Sequence, residues 1–229
     1  MITDKKEFFG GIGLMALFLI VLIAIFLPLF NGQNGLNYLD NLFNAISKGS
    51  AYYIPALSQE VSQAQTGKPI TVKLNYETAA QAGQSAQLFR QADATVAVSE
   101  NEITVSGDFG QILGSCLQDA DILFHNNGET LEDKYALEPR RVLFNWWTSL
   151  KAMQKALNNQ ERFADAKVVY TVMTRAVECA YNYYQVVPDH ITDRMGTVIF
   201  ALVFYVVYTL WYGYAILFIF EGWGLEISH

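Results

Sequence analysis

Two long runs without a charged side chain, one near each end, constrain this sequence more than any other feature. Phe8 to Phe30 holds no charge and no strongly polar side chain, and Thr197 to Phe220 is likewise uncharged between Arg194 and Glu221. A helix rises about 1.5 Å per residue, so either run can cross a hydrocarbon core of about 30 Å. For the first run the alternative is a cleaved secretory signal. Its apolar stretch exceeds the roughly 7–15 residues of a typical signal core, and no A-x-A-like site follows. Asn31-Gly32-Gln33-Asn34-Gly35 reads instead as a helix-ending polar turn. For the second run the alternative is a buried core helix, which rarely reaches such length. Trp223 and the aromatic residues near its ends suit a membrane–water interface.

The expected organisation follows. Residues 1–7 form a short cytoplasmic N-terminus, 8–30 a transmembrane helix, 31–194 an extramembrane domain, 195–221 a second transmembrane helix and 222–229 a short cytoplasmic tail. Lys5 and Lys6 precede the first run, and the segment just after it has no Lys or Arg. The positive-inside rule then puts both termini in the cytoplasm and the domain on the outer, periplasmic side of a bacterial inner membrane. Arg194, flanking the second run on the domain side, argues the other way.

Mean hydropathy is +0.18, and the apolar excess sits at the two ends. Formal net charge is −7, from 22 acidic and 15 basic residues. Basic residues form no run longer than Lys5-Lys6 or Arg140-Arg141. Nucleic-acid binding needs a dense positive face to neutralise phosphates, which this chain lacks.

Between the runs, the pattern implies an α+β domain. Leu36, Leu39, Leu42, Phe43 and Ile46 recur at helical steps in a segment from Asn37 to Gln65, interrupted at Lys48-Gly49-Ser50. Ile70, Val72, Leu74 and Tyr76 alternate as in a half-buried strand, and Glu77 to Asp93 reads as a helix. Two short strands, Val96/Val98 and Ile103/Val105, flank the turn Glu100-Asn101-Glu102. Asp108 and Gln111 can cap a helix that runs to Asn127-Gly128 and carries a nearly complete apolar stripe. This β-α-β-β-α order suggests a small sheet covered on one face by helices. A helical hairpin follows. Glu138 to Leu157 places Val142, Trp146, Leu150, Met153 and Leu157 inward, and Glu161 to Val186, with Val169, Val172, Met173, Ala176, Cys179, Ala180 and Tyr183 inward, runs back to Pro188. Asp189 or Thr192 can restart the chain into the second run.

Residues that could carry chemistry are few. The histidines are His125, His190 and His229, none inside an apolar run, so neither run can ligate a membrane-embedded haem. His125 and His190 read as solvated or capping residues, and the carboxylates, Asp119, Asp121, Glu129, Glu132 and Asp133 among them, as a solvated acidic surface. Cys116 and Cys179 both fall on apolar helix faces. They read as buried thiols, with a disulfide between them as the alternative in an oxidising compartment. No nucleophile elbow, Walker loop, dinucleotide fingerprint or calcium-loop spacing is present, and the sequence points to no cofactor and no catalytic residue.

The second apolar run carries the clearest functional signal. Thr197, Ala201, Tyr205, Thr209 and Gly213 recur at every fourth position, with Tyr208 and Tyr212 alongside. A phenol hydroxyl left unpaired in hydrocarbon costs on the order of 2–7 kcal/mol, so this surface should meet a partner. The first run offers almost no polar side chain between Met15 and Phe30 to answer it. The expected partners are therefore helices of other integral membrane subunits, with a bound lipid or quinone as the alternative occupant. The expected role is a non-catalytic accessory subunit of a respiratory or transport complex. The competing readings are a membrane-tethered ligand-binding sensor acting through a partner, and a membrane-anchored metal-dependent enzyme.

Overall fold

A computed structural model describes residues 2–225; His229 and the rest of the expected C-terminal tail beyond Leu225 lie outside them. The chain is mostly helical, with one small antiparallel sheet and two long apolar helices. The described residues divide into two compact units, 2–47 with 188–225, and 48–187.

The first unit is built on α1 (Lys5–Phe26) and α10 (Ile191–Trp223). Asp4 caps α1 by accepting from the backbone N–H of Lys6 and Glu7, which satisfies two of the helix's orphan donors. The helix stops at Phe26, short of the expected Phe30. The cause is Pro28, whose ring disfavours helical geometry in the residue before it, and Leu27 is extended with ψ 150°. α10 starts before the expected span, directly after His190, and closes at the left-handed Gly224. Asp189 forms an ion pair with Arg194 at 2.7 Å near the start of that helix. α2 (Gly35–Ser50) opens in this unit and ends in the next.

The second unit has a single apolar core. α3 (Ile54–Gln65) leads into the three-stranded sheet, β1 (Pro69–Asn75), β2 (Thr95–Ser99) and β3 (Glu102–Asp108), in the spatial order β1-β3-β2. Ile70, Val72, Leu74, Ile103 and Val105 are buried together on one face, as period-two alternation requires. Glu100 takes the left-handed conformation, φ 51°, in the tight β2–β3 turn. α4 (Ala79–Gln91) joins β1 to β2, and α5 (Phe109–Phe124) follows β3. The expected cap forms in part: Asp108 Oδ1 accepts from the Gln111 N–H at 2.8 Å, while Oδ2 accepts from the N–H of Gly67.

Three expectations for this unit are corrected. The helix break falls at 51–53, after Lys48-Gly49-Ser50, because Pro55 sits in the first turn of α3. Gly128 does not simply end a helix but begins α6 (Gly128–Tyr135), a short helix with too few apolar positions to show a period. The returning arm of the hairpin is not one α-helix to Val186. After α7 (Pro139–Asn159) come α8 (Phe163–Val172), a π-helical turn over Met173–Val177, and α9 (Glu178–Asn182). Of the inward faces expected for the hairpin, Val142, Trp146, Leu150, Met153, Leu157, Val169, Val172, Met173, Ala176 and Ala180 are buried, whereas Cys179 and Tyr183 are only half-buried.

Candidate functional site

All of the residues singled out on the second apolar run lie on α10 of the α1–α10 pair. Its seam on α10 steps by three and four through Ala201, Phe204, Tyr208, Trp211, Ala215, Phe218 and Gly222, all buried or half-buried. Such a seven-residue repeat keeps one stripe facing one neighbour. Tyr208 donates its hydroxyl to the Phe18 carbonyl at 2.9 Å, and Trp211 donates its indole N–H to the Leu14 carbonyl at 3.1 Å. The Phe18 and Tyr208 rings stack with centroids 4.2 Å apart. The expectation that the first run cannot answer the tyrosines is thus wrong for Tyr208. It counted side chains, whereas a helix's backbone carbonyls can accept a second hydrogen bond.

Close approach depends on glycine. A Cβ on Gly11 would lie 2.7 Å from the Ile219 nitrogen, and one on Gly222 would collide with the backbone of Phe8.

The every-fourth-residue ladder does not stay on one face. Four residues turn a helix by about 40° beyond a full revolution, so the ladder drifts around it. Thr197 and Ala201 lie on the half-buried side, whereas Tyr205, Thr209 and Gly213 are exposed. Thr209 is satisfied internally, its hydroxyl donating to the Tyr205 carbonyl at 2.7 Å. Tyr205 is 70% exposed and Tyr212 46%; neither phenol hydroxyl has a hydrogen-bond partner among the described residues. The outward surface thus presents two free phenols amid aliphatic and aromatic side chains.

In the second unit the carboxylates separate sharply. Asp119 is not part of a solvated acidic surface but is fully buried. It accepts from Tyr135 Oη at 2.6 Å, Trp146 Nε1 at 2.8 Å and Lys134 Nζ at 2.8 Å. Burial and this carboxylate push the Tyr135 phenol far above its ordinary range. The cluster ties α5, α6 and α7 together. Asp121 stays near the surface, accepting from the Tyr52 hydroxyl at 2.7 Å and lying 3.4 Å from His125 Nδ1. His125 follows the last turn of α5 and His190 precedes α10. Among the described residues no three metal-ligating side chains come together.

Lys48 is buried without an acidic partner among the described residues. Its ammonium donates to Asn126 Oδ1 and to the Tyr183 and Val186 carbonyls at 2.7–2.9 Å. Desolvation lowers its pKa, and its donors satisfy carbonyls just beyond α9. Both cysteines are free thiols. Cys116 is buried in α5, its pKa raised well above the ordinary thiol value by burial and by Asp119. Cys179 donates weakly to the Thr174 carbonyl.

The sequence pattern does not announce a groove beside α7. A groove of about 910 Å³ runs along α7, lined on the far side by β1 and β3. A smaller, mainly apolar pocket of about 330 Å³ adjoins it between α7 and α9. Phe144 and Trp147 line both. The signal was available: both aromatics lie off the core stripe of α7, on a face that should be polar. Within the groove Lys73 pairs with Glu102 at 3.4 Å, and Trp147 is oriented by its indole N–H donating to Glu178 at 2.8 Å. No family model, curated protein or solved structure matches this chain.

Proposed function

We propose that α1 and α10 cross a lipid bilayer as an antiparallel pair, and that the chain is a non-catalytic accessory subunit of a multi-subunit membrane complex of respiratory or transport type. The observation that carries this reading is the outward face of α10. Only 6% of the most apolar window of either helix is buried. A soluble protein's core helix would be mostly buried, and an exposed apolar surface of this extent needs lipid or protein against it. The seam also speaks against a removable signal: without α1, the Tyr208 hydroxyl and Trp211 N–H lose their acceptors. Tyr205 faces away from the half-buried seam and Tyr212 flanks it, its ring centroid 5.2 Å from that of Phe18; another subunit's helix supplying carbonyl or side-chain acceptors would pair both hydroxyls.

Lys5 and Lys6 support cytoplasmic termini and an extracytoplasmic domain. Purification of the full chain from native membranes in mild detergent tests the assembly. The expected result is co-elution with other integral membrane proteins, weakened when Tyr205 and Tyr212 are both replaced by Leu. Release of the chain by alkaline carbonate, or a monomer with no partner at native expression, would overturn it.

A second reading, a membrane-tethered ligand-binding domain acting through a partner, is favoured by one observation, the groove along α7. Its volume lies within the roughly 300–1,000 Å³ typical of small-molecule sites.

A further inference from the structure

Helix α7 has two faces of different purpose. One is the core stripe that runs from Val142 through Trp146 to Leu157. The other presents Phe144, Trp147, Lys151 and Lys155 at steps of three and four, all lining the groove. Phe144 is 39% exposed and stacks near Trp147, with centroids 6.2 Å apart. Trp147 is half-buried, its inner edge packed against the core, whereas Phe144 and the outer edge of Trp147 leave apolar surface in contact with water.

The charges along the same face are ordered. Lys151 lies over the Trp147 ring, 4.8 Å from its centroid. Lys155 stands one turn further, about 6 Å along the axis. Neither forms an ion pair among the described residues. The groove lining holds three lysines and two glutamates, in a chain whose net charge is −7. Lys73 and Glu102 neutralise each other. Lys151 and Lys155 then face a single remaining carboxylate, Glu77. At the other end, the smaller pocket is walled by Leu143, Val177 and Tyr181, and its Glu178 is engaged by the Trp147 indole. The lining therefore grades from an apolar recess, across two aromatic rings, to Lys151 and Lys155 one to two helical turns away; outside the lining, Arg141 lies over the Phe144 ring at 5.3 Å and Arg140 over the Tyr181 ring at 5.8 Å.

We propose that this surface binds an amphiphilic anion: an apolar group seated between Phe144, Trp147 and Tyr181, with a carboxylate, phosphate or sulfonate held by Lys151 and Lys155. The proposal deepens the ligand-binding reading and does not depend on the contacts of α10. An anionic membrane lipid and a free amphiphile share this chemistry.

The test uses the full chain in phosphatidylcholine nanodiscs, titrated with anilinonaphthalene sulfonate and, separately, with uncharged N-phenylnaphthylamine. Fluorescence from empty discs is subtracted. The expected result is saturable sulfonate binding at least tenfold tighter than that of the neutral probe. K151Q/K155Q should abolish that preference and leave neutral-probe binding unchanged, while F144A should weaken both probes. All three positions are exposed or partly exposed, and an unchanged unfolding midpoint checks that each variant folds.

Two competition arms separate the sources. Phosphatidylglycerol in the discs displaces the sulfonate if a lipid headgroup is the ligand, and added decanoate alone displaces it if the ligand is free in solution. Equal binding of the two probes to the unaltered chain, or sulfonate binding indifferent to the lysine replacements, would overturn the proposal. A chain that stays out of the discs would sink the membrane reading instead, and the same titration is then read in buffer.

Discussion

Replacing Asp119 with alanine should be among the most destabilising single changes in the second unit. The wild-type carboxylate is fully buried and accepts three hydrogen bonds, from a phenol, an indole and an ammonium. Truncation leaves the Tyr135 hydroxyl and the Trp146 N–H buried without an acceptor, at about 1–3 kcal/mol each. Lys134 is partly exposed and can turn to water, so its share is small. The expected loss is about 3–5 kcal/mol, consistent with removing one partner from a buried ion pair. That is a large fraction of the roughly 5–15 kcal/mol that holds a domain folded. D119N should cost less, because its amide oxygen still accepts one of the two buried donors. Y135F should cost least, since the carboxylate keeps two donors. Urea unfolding of the full chain, followed by near-ultraviolet circular dichroism to report the environment of Trp146, measures all three. A D119A loss below about 1 kcal/mol, or Y135F costing more than D119A, would show that the cluster is not an interdependent node.

Other outcomes follow from the same contacts. Gly11→Leu drives a side chain into the backbone at Ala215 and Ile219 and should separate α1 from α10. A cysteine pair placed across the seam would then cross-link in the parent and fail to do so in the variant. Lys48→Met should cost about 1–3 kcal/mol by removing the charged donor that serves Asn126 and two carbonyls, measured by thermal unfolding; a neutral result would refute the capping role. Tyr76 is buried and its pKa is pushed up to about 12, chiefly by burial. The native state therefore keeps this proton after the unfolded chain loses it near pH 10. Its stabilising effect is whole below pH 10 and is lost as pH rises through about 12. A shift of two units corresponds to about 3 kcal/mol. The stability difference between the parent and Tyr76→Phe should shrink by about that much over this window, and a flat difference curve would refute the assignment.

How far the fold was legible follows from where each segment puts its free energy. The two apolar runs, β1, β3 and most of the hairpin's inward faces announce themselves because burial enforces a period of two or of three to four residues; β2 alternates in sequence, yet Val96 is half-buried and Val98 exposed. What escaped has no such period. α6 is too short to repeat. The π-helical turn inserts a local register change that side-chain spacing does not record. Asp119 looks like any surface acid, because its burial is made tolerable by Lys134, Tyr135 and Trp146, which are 15, 16 and 27 residues away.

The candidate sites show the same division. An amphipathic pattern identifies the face that a helix buries, so residues on the opposite face fall to the default of solvated polarity. On α7 that default conceals Phe144 and Trp147, the first exposed and the second only partly taken up by the core. On α10, where nearly every position is apolar, the contrast reverses and hydroxyls become the informative residues. Even there, spacing alone grouped Tyr208 with Tyr205, although one meets a backbone carbonyl of α1 and the other meets nothing. A hydrogen-bond requirement can be read from residue type, but its fulfilment depends on backbone groups common to every residue. The residues that discriminate are those left over once the backbone has been counted: Tyr205 and Tyr212 on α10, and Lys151 and Lys155 on α7.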